Sequence, residues 1–164
     1  MSRTSIFVGK ILGGSTDTLI QIAILLVIGF AFINIGLMPG LQLNIISISV
    51  AILILLVTII GLVSIGLIIG SQMESPEGFQ LIGSFVIFPM FFLSGALFSI
   101  SNLPAWLSPF IFVNPVTYAV DGLRGVLIGA SAAHFHFVFD FMIMVIFSAV
   151  LILIGAYAFR KMKV

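Results

Sequence analysis

The chain has no cysteine, and only five acidic and six basic residues among 164. Without cysteine there are no disulfides and no thiolate metal sites. Charged residues make up 7% of the chain, against about 25% in a water-soluble domain. That is too little polar surface to coat a globule in water. The net charge of +1 supplies no basic field for nucleic acid. No Gly-x-x-x-x-Gly-Lys-Ser/Thr phosphate loop occurs, so nucleotide hydrolysis has no seat here. His134 and His136 are two apart and fall on different helix faces, which makes them poor joint metal ligands. Glu74 and Glu77 stand in a connector with no nucleophile beside them. No catalytic, cofactor or metal site is therefore expected.

What is present is apolar. Hydrophobic residues are 62% of the chain and the mean hydropathy is +1.41. The class left is an integral membrane protein: all-α and polytopic, with four transmembrane helices. The spans are expected at Leu19–Met38, Leu43–Gly70, Phe79–Phe98 and Phe137–Phe159. Met1–Thr18 reads as a helix approaching the membrane at an angle, and Pro39-Gly40 as a turn. Gly61, Gly66 and Gly70 crowd the second span, and small residues let another helix, including one from a second copy, come close. Pro89 interrupts the third span and predicts a kink. Asp140, three residues into the fourth span, reads as near enough to the interface to stay wet. Four spans put both termini on one side. That side carries Arg3, Lys10, Arg160, Lys161 and Lys163, while the other has only Arg124. The positive-inside rule then predicts cytoplasmic termini.

The stretch Phe91–Gly129 organises the rest. Ser99-Ile100-Ser101-Asn102 breaks its apolar start, and Pro104, Pro109 and Pro115 cut it into short pieces. It predicts short outer interfacial helices between the third and fourth spans. Asn114-Pro115 is a helix start, with Asn as cap and Pro at the first position. From there Val116, Ala119, Val120, Leu123, Val126 and Leu127 form one stripe, facing Thr117, Tyr118, Asp121 and Arg124 on the other side. The expectation is a helix lying in the interface, with its apolar stripe buried and its polar face in water. Trp106 and Tyr118 would then anchor it, and Thr117 and Asp121 would be open to reagents from outside. Asp121 and Arg124, three apart, could form an exposed pair worth only about 0.2–0.5 kcal/mol.

Three segments carry a resemblance: Phe92-Leu93-Ser94-Gly95-Ala96-Leu97-Phe98, then Leu103-Pro104-Ala105-Trp106-Leu107, then Asn114-Pro115-Val116-Thr117-Tyr118-Ala119-Val120-Asp121-Gly122-Leu123-Arg124-Gly125. In this order they resemble the type 2 ABC-transporter permease family, most of all its drug-resistance branch. Residues 3–14, RTSIFVGKILGG, resemble the family segment that follows the cytoplasmic coupling helix. The resemblance implies a permease subunit of an ATP-driven exporter of drugs, lipids or polysaccharides. It implies two permease copies on two ATP-binding subunits in the plasma membrane, and an outer-helix polar face at Tyr118, Asp121 and Arg124. The four spans match the family's last four, so residues 1–164 read as a partial ABC-2 transmembrane domain, its C-terminal two-thirds. The expectation is that this chain inserts and dimerises but does not by itself retain the ATP-binding subunit. Two other readings stand beside it. A non-transporting membrane scaffold or assembly subunit needs no pathway. A channel or secondary carrier usually has ionisable groups near the midplane, and the spans have none there. Asp121-Gly122-Leu123-Arg124 shares an Asp-Gly-before-Arg order with membrane phosphotransferases, but only Asp140 follows where those enzymes need further aspartates.

Overall fold

A computed structural model describes residues 3–38, 40–98, 100 and 104–161. Pro39, Ser99, Ser101, Asn102, Leu103 and the tail from Met162, with Lys163, lie outside the described residues. Among the described residues every regular element is helical. The helices are α1 (Arg3–Asn34), α2 (Ile45–Gly70), α3 (Pro76–Leu93), α4 (Ser108–Val113), α5 (Pro115–Leu127) and α6 (Phe137–Lys161), with 3-10 turns at Ala105–Leu107 and Ala130–Ala132. Four of them, α1, α2, α3 and α6, are long and apolar enough to cross a membrane.

The ends follow local chemistry. Asn44 caps α2: its side chain accepts from the Ser47 N–H while Ser47 Oγ accepts from the Asn44 N–H, satisfying two donors that a helix start leaves free. Ser75 caps α3, with Pro76 just inside it, so α3 begins three residues before the expected Phe79. It also stops at Leu93 rather than Phe98. The approach helix and the first span are continuous. Residues 3–34 run as one helix, because Gly13-Gly14 lowers helix propensity but removes no hydrogen bond.

The bundle is built around α2 and α6, the pair in most extensive contact, with α5 and α1 on either side of them. At one end Phe7 and Ile11 of α1 are buried against Ile60, Val63 and Leu67 of α2 and Ile152 and Ala156 of α6. The start of α1 and the end of α6 therefore share a side. At the other end Ile54, Tyr118, Ala119 and Met144 form a second cluster where α5 meets α2 and α6. At Gly61 α2 and α6 are in tight contact, since a Cβ there would lie 2.7 Å from Ser148 Oγ and 3.3 Å from the Phe147 ring. Ser148 Oγ donates to the Val57 carbonyl at 2.7 Å, a bond between the two spans. Gly61 is thus taken up inside the chain. A Cβ at Gly70 would touch only Phe79, and one at Gly66 would meet open space. Helix α3 has no buried residue and leans lightly on α2 and α5; Pro89 sits inside it, exposed.

Candidate functional site

The segment between α3 and α6 is held by its polar side chains. A helix end leaves carbonyls without partners, and near lipid no water is at hand to satisfy them. Helix α3 ends at Leu93, and Gly95 follows at φ +81°, a conformation that favours glycine. Asn114, the cap of α5, accepts from the Val116 N–H with Oδ1. Its Nδ2 donates to the Met90 carbonyl in the last turn of α3, at 2.7 Å. Arg124 Nη2 donates to the Gly95 carbonyl. Two side chains of α5 serve the end of α4: Thr117 Oγ1 donates to the Ile111 carbonyl at 2.9 Å and Tyr118 Oη to the Phe112 carbonyl at 2.7 Å. Thr117 Oγ1 also lies 3.5 Å from the Leu93 carbonyl, too far to add much.

Asp121 ties the third neighbour. Its carboxylate accepts the His134 N–H on both oxygens, each at 2.8 Å, and the Phe135 N–H at 2.7 Å. These two residues lead directly into α6. Rings close the same junction: Tyr118 lies 5.6 Å from Phe135 and 5.9 Å from Phe139. Burial pushes the Tyr118 hydroxyl above its ordinary range, and the nearby Asp140 carboxyl adds to the shift. The hydroxyl therefore stays a donor. One short helix thus binds the end of α3, the end of α4 and the entrance of α6. The C-terminus of α5 is fixed as well, by the Gln42 N–H donating to the Leu127 carbonyl at 2.6 Å.

This corrects the expected solvated polar face of α5. Thr117 is 0% and Asp121 2% exposed, and Tyr118 is buried too. The polar face points into the protein and not into water, because its hydrogen-bonding partners are the carbonyls and N–H groups of neighbouring helix ends. On the apolar stripe Ala119 is buried and the others are half-buried, with Leu123 and Val126 packed on the cluster around Ile54. Asp121 and Arg124 do not form the expected exposed pair; each holds a different segment. Of the two expected anchors, Trp106 is exposed and Tyr118 is not. Asp140 is not wet: it is 1% exposed, beside Gly122 of α5. Pro89 precedes Met90, whose carbonyl Asn114 holds in this knot, and a Cβ at Gly66 or Gly70 of α2 would meet no atom of α5. A separate apolar cleft of about 220 Å³ runs between α2 and α3, with Leu62, Gly66, Phe79, Val86 and Met90 among its walls. A signal for the knot was present in the spacing: Asn114, Thr117, Asp121 and Arg124 step by three, four and three residues. That is a polar stripe on one helix face, and in a chain this apolar such a stripe seeks protein partners.

The architecture defines a multi-pass helical membrane protein with a proline-cut segment hung between two spans. The family model of the ABC-2 type transporter matches residues 1–128, and the chain belongs to that family. It is 31% identical over 131 residues to the probable doxorubicin resistance ABC transporter permease protein DrrC of Mycobacterium tuberculosis, covering 77% of this chain and 44% of that protein. It is 28% identical over 89 residues to nodulation protein J of Rhizobium meliloti, covering 54% of this chain and 34% of that protein. The chain thus spans less than half the length of the curated relatives it matches. No solved structure matches it.

Proposed function

We propose that this chain is a membrane-spanning permease subunit of an ATP-driven exporter of hydrophobic or amphiphilic molecules. ATP is hydrolysed on a separate ATP-binding subunit, and a second permease copy completes the pathway. The protein resides in the plasma membrane with both termini cytoplasmic. Residues 1–164 correspond to the C-terminal two-thirds of an ABC-2 transmembrane domain, with α1, α2, α3 and α6 in the places of its last four spans.

The observation that carries this reading is the knot made by α5. Arg124 holds the end of α3 and Asp121 holds the entrance of α6, so the outer cap moves with both spans as one piece. A displacement of those spans by an ATP-binding partner then reaches the outer mouth without being lost in a slack loop. Tyr118, Asp121 and Arg124 act as positioning residues for that cap. The apolar cleft between α2 and α3 suits an apolar molecule. The test is efflux of an amphiphilic dye from cells expressing the transporter with its ATP-binding subunit. Arg124→Ala should lower ATP-dependent efflux more than it lowers the amount of protein in the membrane. Equal losses in both would remove the gating role, and efflux that continues without any ATP-binding subunit would remove the exporter reading.

A further inference from the structure

The apolar cleft between α2 and α3 adjoins a second, wider cavity of about 690 Å³, at the end of the bundle where α1 begins. Lys10, Gly14, Leu67, Ser71 and Phe79 are among the walls of this wider space. Gly66 and Phe79 stand in the walls of both. A Cβ at Gly66 would meet nothing within 4 Å, so no side chain closes the passage at that point. The two spaces differ in chemistry. No charged residue lines the cleft, and an apolar cavity of about 150 Å³ already stays dry and takes up hydrocarbon. The wider cavity has Lys10 in its wall, and that residue is exposed. Among the described residues no acid lines either cavity, Glu74 and Glu77 of the adjoining connector included. Length narrows the kind of occupant. In the cleft wall, Phe79 to Met90 of α3 covers about 16 Å at about 1.5 Å per residue. That is about half of a hydrocarbon core about 30 Å thick, the reach of one acyl chain from one face of the bilayer.

We propose that the two cavities together seat one anionic phospholipid, with its phosphate at Lys10 and one acyl chain in the cleft. A lysine lays its apolar stem along such a wall and keeps its ammonium at headgroup level. Basic pockets between spans bind anionic headgroups in this way. A zwitterionic lipid fills the cleft equally well but brings its own cation beside Lys10. A neutral apolar molecule uses the cleft and gains nothing from Lys10. The proposal deepens the reading of the cleft as a place for an apolar molecule. It concerns binding to the chain alone, so it stands or falls apart from export.

The full chain, purified in detergent, is titrated with phosphatidylglycerol or phosphatidylcholine carrying the same acyl chains, and bound lipids are counted by native mass spectrometry. One phosphatidylglycerol should bind per chain, about fivefold more tightly than phosphatidylcholine, the worth of one basic residue facing an anionic headgroup. Lys10→Gln should lose that preference and Lys10→Arg should keep it. Lys163→Gln removes the same charge elsewhere in the chain and should change nothing. An equal loss there would reveal general attraction of charge and overturn the proposal. Gly66→Leu and Gly83→Leu fill the cleft from its two walls, since a Cβ at either glycine would meet open space. Both should lose the bound lipid of either kind while keeping the melting temperature of the unaltered chain. Lys10 is exposed, so its variants test the site even where a filled cleft unfolds the chain. Equal binding of the two lipids overturns the proposal. So does a Gly66→Leu variant that breaks a dimer and releases no lipid, for the cleft would then belong to a second copy of the chain.

Discussion

The outer knot rests on a few side chains whose worth is set by what they leave behind when removed. A buried N–H or carbonyl left without a partner costs about 1–3 kcal/mol. Asp121→Ala strands the N–H groups of His134 and Phe135, whereas Arg124→Ala strands only the Gly95 carbonyl. Asp121→Ala should therefore lower the melting temperature in detergent clearly more than Arg124→Ala; equal, small shifts would mean that the knot is not what holds the outer segment. Because the chain has no cysteine, single introduced thiols report cleanly. Thr117→Cys should resist a membrane-impermeant maleimide from either side, since Thr117 is fully buried, while Ala130→Cys, in the exposed turn after α5, should react. Ready labelling at position 117 would restore the solvated polar face that the spacing first suggested.

At the scale of helices, contact decides which glycines matter. Gly61 faces Ser148 and Phe147 across the α2–α6 contact, whereas Gly66 faces open space. Overpacking a tight contact costs about 1–3 kcal/mol. Gly61→Ala should thus destabilise the chain by roughly that amount, measured by thermal unfolding in detergent, because Ser148 must move and strain its bond to Val57. Gly66→Ala should be neutral or slightly stabilising, since alanine is the better helix former. If the two variants behave alike, α2 and α6 do not meet at Gly61. Helix α3 presents the opposite case, as nothing in it is buried and its end is fixed through Asn114 and Arg124. The segment between α3 and α6 thus adds hydrogen bonds to the light packing of α3 on α2.

For the whole molecule, the contact of Phe7 with Ile152 and Ala156 puts the start of α1 and the end of α6 on one side. It does not say which side. We propose the cytoplasmic side, since five of the six basic residues flank these ends and basic residues tend to be retained in the cytoplasm. An alkaline phosphatase fused after Val164 should be inactive and one inserted after Ala130 active. A fluorescent protein that folds only in the cytoplasm should show the reverse. Phosphatase activity at the C-terminus would invert the topology and put the knot on the cytoplasmic face.

By itself the sequence determined the class, the number of spans and the start of α5, because these depend on properties that local residues carry alone: hydropathy over about 20 residues and the capping chemistry of Asn114-Pro115. The family's ordered motifs in the outer segment were legible too. The direction of the polar face was not. Amphipathicity separates two faces of a helix but does not say what lies against each. In water the polar face turns outward, whereas here Thr117, Tyr118 and Asp121 turn inward. That outcome was decided only when α3, α4 and α6 brought unpaired carbonyls and N–H groups to α5. The same holds for Asp140. Its place in the chain suggested a solvated helix end, yet Gly122 of α5 closes over it. Burial depends on which element comes to rest against a residue, and only the tertiary structure decides that.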